Sequence, residues 1–246
     1  MNSFKPHLTP NMSTIQYSAT TGQPFLRLPA PFSNIIVTPP RMSDVEPSVA
    51  IMGDPAVAQW MGRMGPGSTY TTARAEAWLT ALKAQTDAMV EELRGAGPVS
   101  GCPLRHIREE RADGTDVFIG DVGLVRSSWT EVFDAEQRGR FVAENNARAA
   151  GDPEIAWHVG YYLAPSHHGR GLMTIAVKTL ITQFGIPLLK TKRIRSSTFQ
   201  GNYGSLRVLQ KNGFVIVDTL VEHVQVGDEK KSLHLMEWLG ADSMIP

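Results

Sequence analysis

The sequence predicts an α+β domain built on a mixed, mostly antiparallel sheet. Strand-like runs outnumber helical ones and do not alternate strictly with them, which argues against a repeating βαβ design. An Asp113-Gly114 dipeptide sits between two β-rich runs and marks a hairpin. The chain is 42% hydrophobic and 20% charged, ordinary values for a globular chain with a substantial core.

The elements follow in order. Residues 1–33 carry Pro6, Pro10, Pro24, Pro29 and Pro31, which forbid a long helix. An irregular N-terminal extension is expected there, with PFLRL packing on the domain. A single domain is expected over 34–246. NIIVTPP (34–40) is a short strand stopped by two prolines. Ser43 and Asp44 cap a helix through about Met52, and DPAVAQWMG (54–62) adds a short helical turn. The run 70–95 is a helix stopped by Gly95, with Trp78, Ala81, Leu82, Gln85 and Met89 on one face. Strands are expected at 104–110 and 117–127. Residues 128–153 are polar and long for a strand-to-strand connection. They read either as a solvated insertion or as a flap over a substrate site. Strand 155–163, helix 171–185, strand 192–199 and helix 203–212 come next. Strands near 214–222 and 231–238 close the chain around VGDEK, giving about seven strands in the order β-α-α-β-β-β-α-β-α-β-β.

Twenty-four basic residues balance 24 acidic ones, so no general pull toward nucleic acid or an anionic membrane is expected. The single cysteine, Cys102, cannot close an internal disulfide. That fits a reducing compartment, and a cytoplasmic location is expected. No run approaches about 18 consecutive apolar residues, and the N-terminus has no apolar core of a secretory signal.

LAPSHHGRGLMT (163–174) joins a strand to an amphipathic helix. A helix N-terminus presents unpaired N–H groups and partial positive charge. Gly169 and Gly171 flank Arg170 at that point, and glycine lets a ligand approach the backbone. The result reads as a phosphate cradle. The spacing matches neither an NTPase loop nor a dinucleotide fingerprint. FQGNYGSLRVLQKNGF (199–214) follows the next strand, with Asn202 and Ser205 opening a short helix.

Together, the pattern strand-LAPxxHGRGxxT-helix and strand-xxNxxSxRVLxKNGF resembles the GNAT acyltransferase superfamily. It is most similar to the branch of ribosomal-protein N-terminal alanine acetyltransferases, the RimJ/RimL type. IIVTPPRMSD…MGDPAVAQWM, YTTARAEAWL and FIGDVGLV extend the resemblance over about residues 34–239. It implies a GNAT fold with a splayed cleft for acetyl-CoA, the acyl-donor substrate, and no metal. The family's pyrophosphate motif Q/R-x-x-G-x-G/A falls on His168, Gly171 and Met173. The cofactor-binding set it implies is His168, Gly169, Arg170, Gly171, Leu172, Met173 and Thr174, with Asn202 and Ser205. Leu163 and Ala164 would pair with the pantetheine arm. Asn202 suits both a ligand contact and a helix N-cap. His167 is expected to face solvent.

The tyrosine acid of many GNAT enzymes is replaced here by Leu209. The resemblance implies Ser205 as the proton donor to the leaving thiolate. For the base, alignment gives His223, with Glu222 adjacent, and His158 as a third candidate. Strand neighbours face opposite sides, so only one of Glu222 and His223 can face the cleft. His158 and Trp129 are the expected acceptor contacts. The implied reaction is acetyl transfer to a primary amine, on a small molecule or a peptide N-terminus, by a monomer or homodimer. The alternative is a non-catalytic acyl-CoA-binding or partner-binding module on the same fold.

Overall fold

The computed structural model describes residues 15–61, 70–95, 97–226 and 229–240. Expectations for residues 1–14, for Gly62 and for the tip of the last hairpin at 227–228 lie outside these. Among the described residues nine strands form one sheet: β1 (Gln16–Tyr17), β2 (Pro24–Arg27), β3 (Ile35–Thr38), β4 (His106–Glu110), β5 (Asp116–Arg126), β6 (Ala156–Leu163), β7 (Arg193–Phe199), β8 (Val215–Val226) and β9 (Glu229–Trp238). The spatial order is β1-β2-β3-β4-β5-β6-β7-β9-β8. Every neighbouring pair is antiparallel except β6 and β7.

The count exceeds the expected seven because the extension is not irregular throughout. PFLR pairs with β3, and Leu26 and Leu28 are buried in the core while Arg27 turns outward to Glu110. Period-2 burial, hidden among the prolines, makes this segment a strand. The sheet therefore begins at Gln16, before the expected boundary at residue 34.

Helices cover both faces. On one lie α1 (Val45–Gly53), α2 (Pro55–Ala58) and α3 (Thr72–Arg94). α4 (Ala135–Ala147) falls inside the long connection. The other face carries α5 (Leu172–Leu180), a π-helical turn (Ile181–Gly185) running into α6 (Ile186–Leu189), and α7 (Tyr203–Lys211). The π-turn widens the ladder just before Pro187, which lacks an N–H to donate, and the helix runs on past the expected stop at 185. Leu172–Leu189 is long and apolar enough to match a membrane span by length and composition, with mean hydropathy 1.5. Here it is the core helix: Leu172, Ala176, Val177, Leu180 and Phe184 pack with Trp157, Val159 and Leu163 of β6.

α3 buries Ala75, Leu79, Leu82, Thr86 and Val90, a face rotated by about one residue from the expected one. Trp78 is 39% exposed and lies over the Arg105 guanidinium, 5.3 Å away. A buried ionic cluster ties the start of α1 to the sheet. Asp44 receives both His106 Nδ1, at 2.6 Å, and Arg108 Nη2, at 2.6 and 2.7 Å. Burial pushes the Asp44 carboxyl up, but His106 and Arg108 together outweigh it and hold the carboxyl below the usual range. Its stabilisation is thus present at neutral pH and lost as pH falls through that lowered value. Asp44→Asn should cost about 3–5 kcal/mol by leaving Arg108 short of its partner in the interior. Urea unfolding at pH 7 measures this; a change below 1 kcal/mol would show that the cluster contributes little.

Candidate active site

The site begins where the sheet parts. β6 and β7 pair at three positions, Ala156 with Arg193, Trp157 with Ile194 and His158 with Arg195. Beyond them β6 stays on β5, β7 stays on β9, and the two separate. Ser196 Oγ still reaches the Val159 carbonyl at 2.9 Å. A cleft of about 1260 Å³ opens in the gap.

Alternate residues of an antiparallel strand turn their main-chain groups to opposite neighbours. Ala164 donates its N–H to the Ile119 carbonyl at 2.8 Å, so its amide serves the β5 side. Val159, Tyr161 and Leu163 turn theirs toward the gap. This corrects the expectation for Ala164, which does not line the cleft. Leu163 does line it, but His168 Nε2 already donates to its carbonyl at 2.7 Å.

The glycine turn follows. Gly169 has φ +71° and Gly171 φ +81°, a region where a Cβ is disfavoured. A Cβ at either position would meet no atom within 4 Å, so open space lies before both. Gly171 is the N-cap of α5, and no side chain caps that helix. The first-turn residues Leu172, Met173 and Thr174 have N–H groups without intrahelical partners, and all three line the cleft. The Met173 side chain is buried in the core, so its bulk points away from the cradle. His168, Gly169 and Gly171 also line the cleft; Arg170 is exposed and does not. His167 is not solvent-facing as expected: its imidazole is mostly covered, with Nε2 3.3 Å from Glu109 and Nδ1 2.9 Å from the Ser166 hydroxyl.

Asn202 caps α7, its Oδ1 accepting the Ser205 N–H at 3.1 Å. Both residues line the cleft. Ser205 Oγ lies 3.0 Å from the hydroxyl of Tyr161, which also donates to the Ser205 carbonyl at 3.1 Å. Burial raises the Tyr161 phenol well above its ordinary value, and the Ser205 bond offsets this only in part, so Tyr161 stays a neutral donor. Leu209 is fully buried. Cys102 is buried too, which pushes its thiol up to about 12 and leaves it an unreactive thiol.

Of the three base candidates only His158 lines the cleft. Its ring lies over Gly160, where an added Cβ would come 3.7 Å from Nε2. Burial lowers the His158 pKa, Arg195 lowers it further, and Glu131 offsets part of this, so the imidazole is neutral at pH 7. His223 is placed elsewhere: Nε2 donates to the Glu131 carbonyl at 2.7 Å and the ring stacks on Phe133 at 3.8 Å. Glu222 is exposed with φ +48°. The ladder shifts register between Leu220 and Val224, and this bulge breaks the regular alternation of Glu222 and His223.

The long connection is no free spacer. Glu131, Phe133 and Arg138 line the cleft, and Glu131 pairs with Arg195 at 2.6 Å. Asn145 of α4 is buried, bonding both the N–H and the carbonyl of Ala156 at 2.9 Å. Trp129 departs from its expected role. It packs on Phe141 and on the Arg195 guanidinium and does not line the cleft. Tyr161, Glu131 and Arg195 were not marked by any sequence signal.

The acetyltransferase (GNAT) domain model matches residues 34–215. A "Probable N-acetyltransferase", YjcK of Bacillus subtilis, is 43% identical over 56 residues, which cover 23% of this chain and 30% of that relative. Among solved structures, Mycobacterium smegmatis RimJ in complex with CoA-disulfide shares 18% identity at a TM-score of 0.54, covering 91% of this chain and 89% of that one. The ribosomal-protein-S5-alanine acetyltransferase of Vibrio fischeri shares 17% identity at a TM-score of 0.57, covering 86% and 96%. The last two show a shared fold. With the family model spanning β3 to the start of β8, the chain belongs to the GNAT acetyltransferase family.

Proposed function

We propose that this protein transfers the acetyl group of acetyl-CoA to a primary amine by direct attack on the thioester. One observation carries the reading. The gap between β6 and β7 opens onto an uncapped helix N-terminus, and a serine–tyrosine hydroxyl pair and a neutral histidine line or border the same cleft. The likeness to the RimJ complex, which holds a CoA-disulfide, supports CoA as the group seated there.

In this reading the pyrophosphate rests on the N–H groups of Leu172, Met173 and Thr174, beside Gly169 and Gly171. Asn202 and Leu163 flank the arm that leads to the thioester. The amine enters from the face of α1, α2 and α3, where His158 lies. His158 accepts a proton from the amine nitrogen. The nitrogen attacks the acetyl carbon, a C–N bond forms, and the C–S bond breaks. The leaving thiolate takes a proton from Ser205 Oγ while the neutral Tyr161 hydroxyl stays hydrogen-bonded to the serine, and the proton held on His158 returns to Ser205 through solvent as the products leave. Glu131 beside His158 favours the imidazolium that results. Cys102, protonated and buried, gives no acyl-enzyme route, which favours direct transfer.

Ser205→Ala should lower kcat about tenfold to a hundredfold, the modest end for a proton donor, and leave the KM for acetyl-CoA nearly unchanged. Tyr161→Phe should lower kcat less, because Ser205 remains. An unchanged kcat in Ser205→Ala would make the hydroxyl pair structural.

A further inference from the structure

A second, smaller cavity of about 250 Å³ adjoins the cleft on the α1–α3 face. Met61, His158, Gly160, Tyr161 and Tyr162 line both spaces, so the two meet at the proposed base. Its other walls are mainly Met52, Tyr70, Trp78 and Val125, aromatic, thioether and aliphatic groups. Among the described residues two ionic side chains also reach it, and each is already spent. Arg105 grips Asp121 through two bonds, Nε to Oδ2 at 2.7 Å and Nη2 to Oδ1 at 3.0 Å. The guanidinium lies between the Trp78 ring, 5.3 Å away, and Gly123, where a Cβ would sit 3.1 Å from Nη2. A side chain at 123 would dislodge it, so glycine there helps keep the pair closed.

We infer that this cavity is the acceptor pocket, and that it selects a primary amine carrying an apolar group about the size of an aromatic ring. The inference rests on the acetyl-transfer reading and adds the substrate class to it. Size supports it: a dry cavity of about 150 Å³ holds benzene, so about 250 Å³ holds a ring with a short linker. Charge supports it as well. Among the described residues a second ammonium finds no free carboxylate in this cavity, because Asp121 is bound to Arg105 and 5% exposed at its side chain. A free carboxylate on the acceptor would have to compete with Asp121 for the guanidinium. Polyamines and amino acids would therefore bury charge without a partner. The apolar amine has two sources, a free arylalkylamine or a peptide with an apolar N-terminal residue, and both present the same chemistry.

Two measurements separate this inference from the reading beneath it. Calorimetric titration in the presence of CoA reads binding alone, and acetyl transfer from acetyl-CoA reads turnover. The probes are phenethylamine, a phenylalanyl peptide amide, ethylamine, spermidine and free phenylalanine. Either or both of the first two should bind, and be acetylated with kcat/KM, at least tenfold better than the last three; which of the two leads identifies the source. Trp78→Ala, which removes a half-exposed wall, should cut that preference at least fivefold. Val125→Trp, which fills the cavity from its open rim, should do the same, so a folding defect in one variant does not decide the outcome. Equal binding of all five amines, or a preference for spermidine or free phenylalanine, would overturn the inference while leaving acetyl transfer standing. Acetyl-CoA binding with no amine acetylated would overturn both.

Discussion

Gly171→Val is expected to abolish most of the thermal stabilisation that acetyl-CoA confers. Gly171 sits at φ +81° where α5 begins, and its neighbours' N–H groups form the proposed pyrophosphate seat. A β-branched residue disfavours that conformation, so the turn must rearrange and the N–H groups lose their common direction. Its side chain would also enter the open space in front of the turn. A weakening of about a hundredfold removes about 2.7 kcal/mol of ligand-linked stability at saturating ligand. Gly114→Val is the control. Gly114 has φ +83° in the β4–β5 hairpin, also with nothing within 4 Å of its Cβ, and does not line the cleft. It should lower the Tm of the free protein and keep the full acetyl-CoA shift. A full shift in Gly171→Val would contradict the phosphate seat.

His158→Ala should lower kcat by about 10²–10⁴ at neutral pH, the range for loss of a general base. Raising the pH should restore much of the rate, because the amine then arrives deprotonated. The sign follows from the environment. Burial holds the His158 pKa below the ordinary imidazole value, so the wild-type rate should stay flat through neutrality and fall only in more acidic solution. His223→Ala should leave the pH profile in place, since its ring is occupied with Glu131 and Phe133. A pH profile that moves in His223→Ala and not in His158→Ala would reverse the assignment.

Local chemistry was legible in the sequence, and pairing between distant segments was not. The glycine turn at the start of α5 could be read because glycines and a helix start are local features, and the Asn202 cap could be read because it spans three residues. Tyr161 escaped notice. Its role exists only because α7 carries Ser205 to within 3.0 Å of it across the parted strands. Glu131 and Arg195 meet for the same kind of reason, since the long connection folds back onto β7. His223 and Glu222 rested on an alignment alone, and the bulge between Leu220 and Val224 that sets how their side chains are directed has no local signature. The face of α3 was misjudged because Trp78 reads as core by hydrophobicity, yet it is 39% exposed and lies over the Arg105 guanidinium rather than in the helix's buried face. β2 hid among prolines, and only its pairing with β3 reveals a strand.

The most direct test of the account is to incubate the protein with acetyl-CoA carrying a labelled acetyl group and a panel of primary amines, and to identify the products by mass spectrometry. The account predicts labelled N-acetyl amine and free CoA in equal amounts, with both lost in parallel in His158→Ala. Tight acetyl-CoA binding with no labelled amine from any member of the panel would contradict it and would leave a CoA-binding module on a GNAT fold.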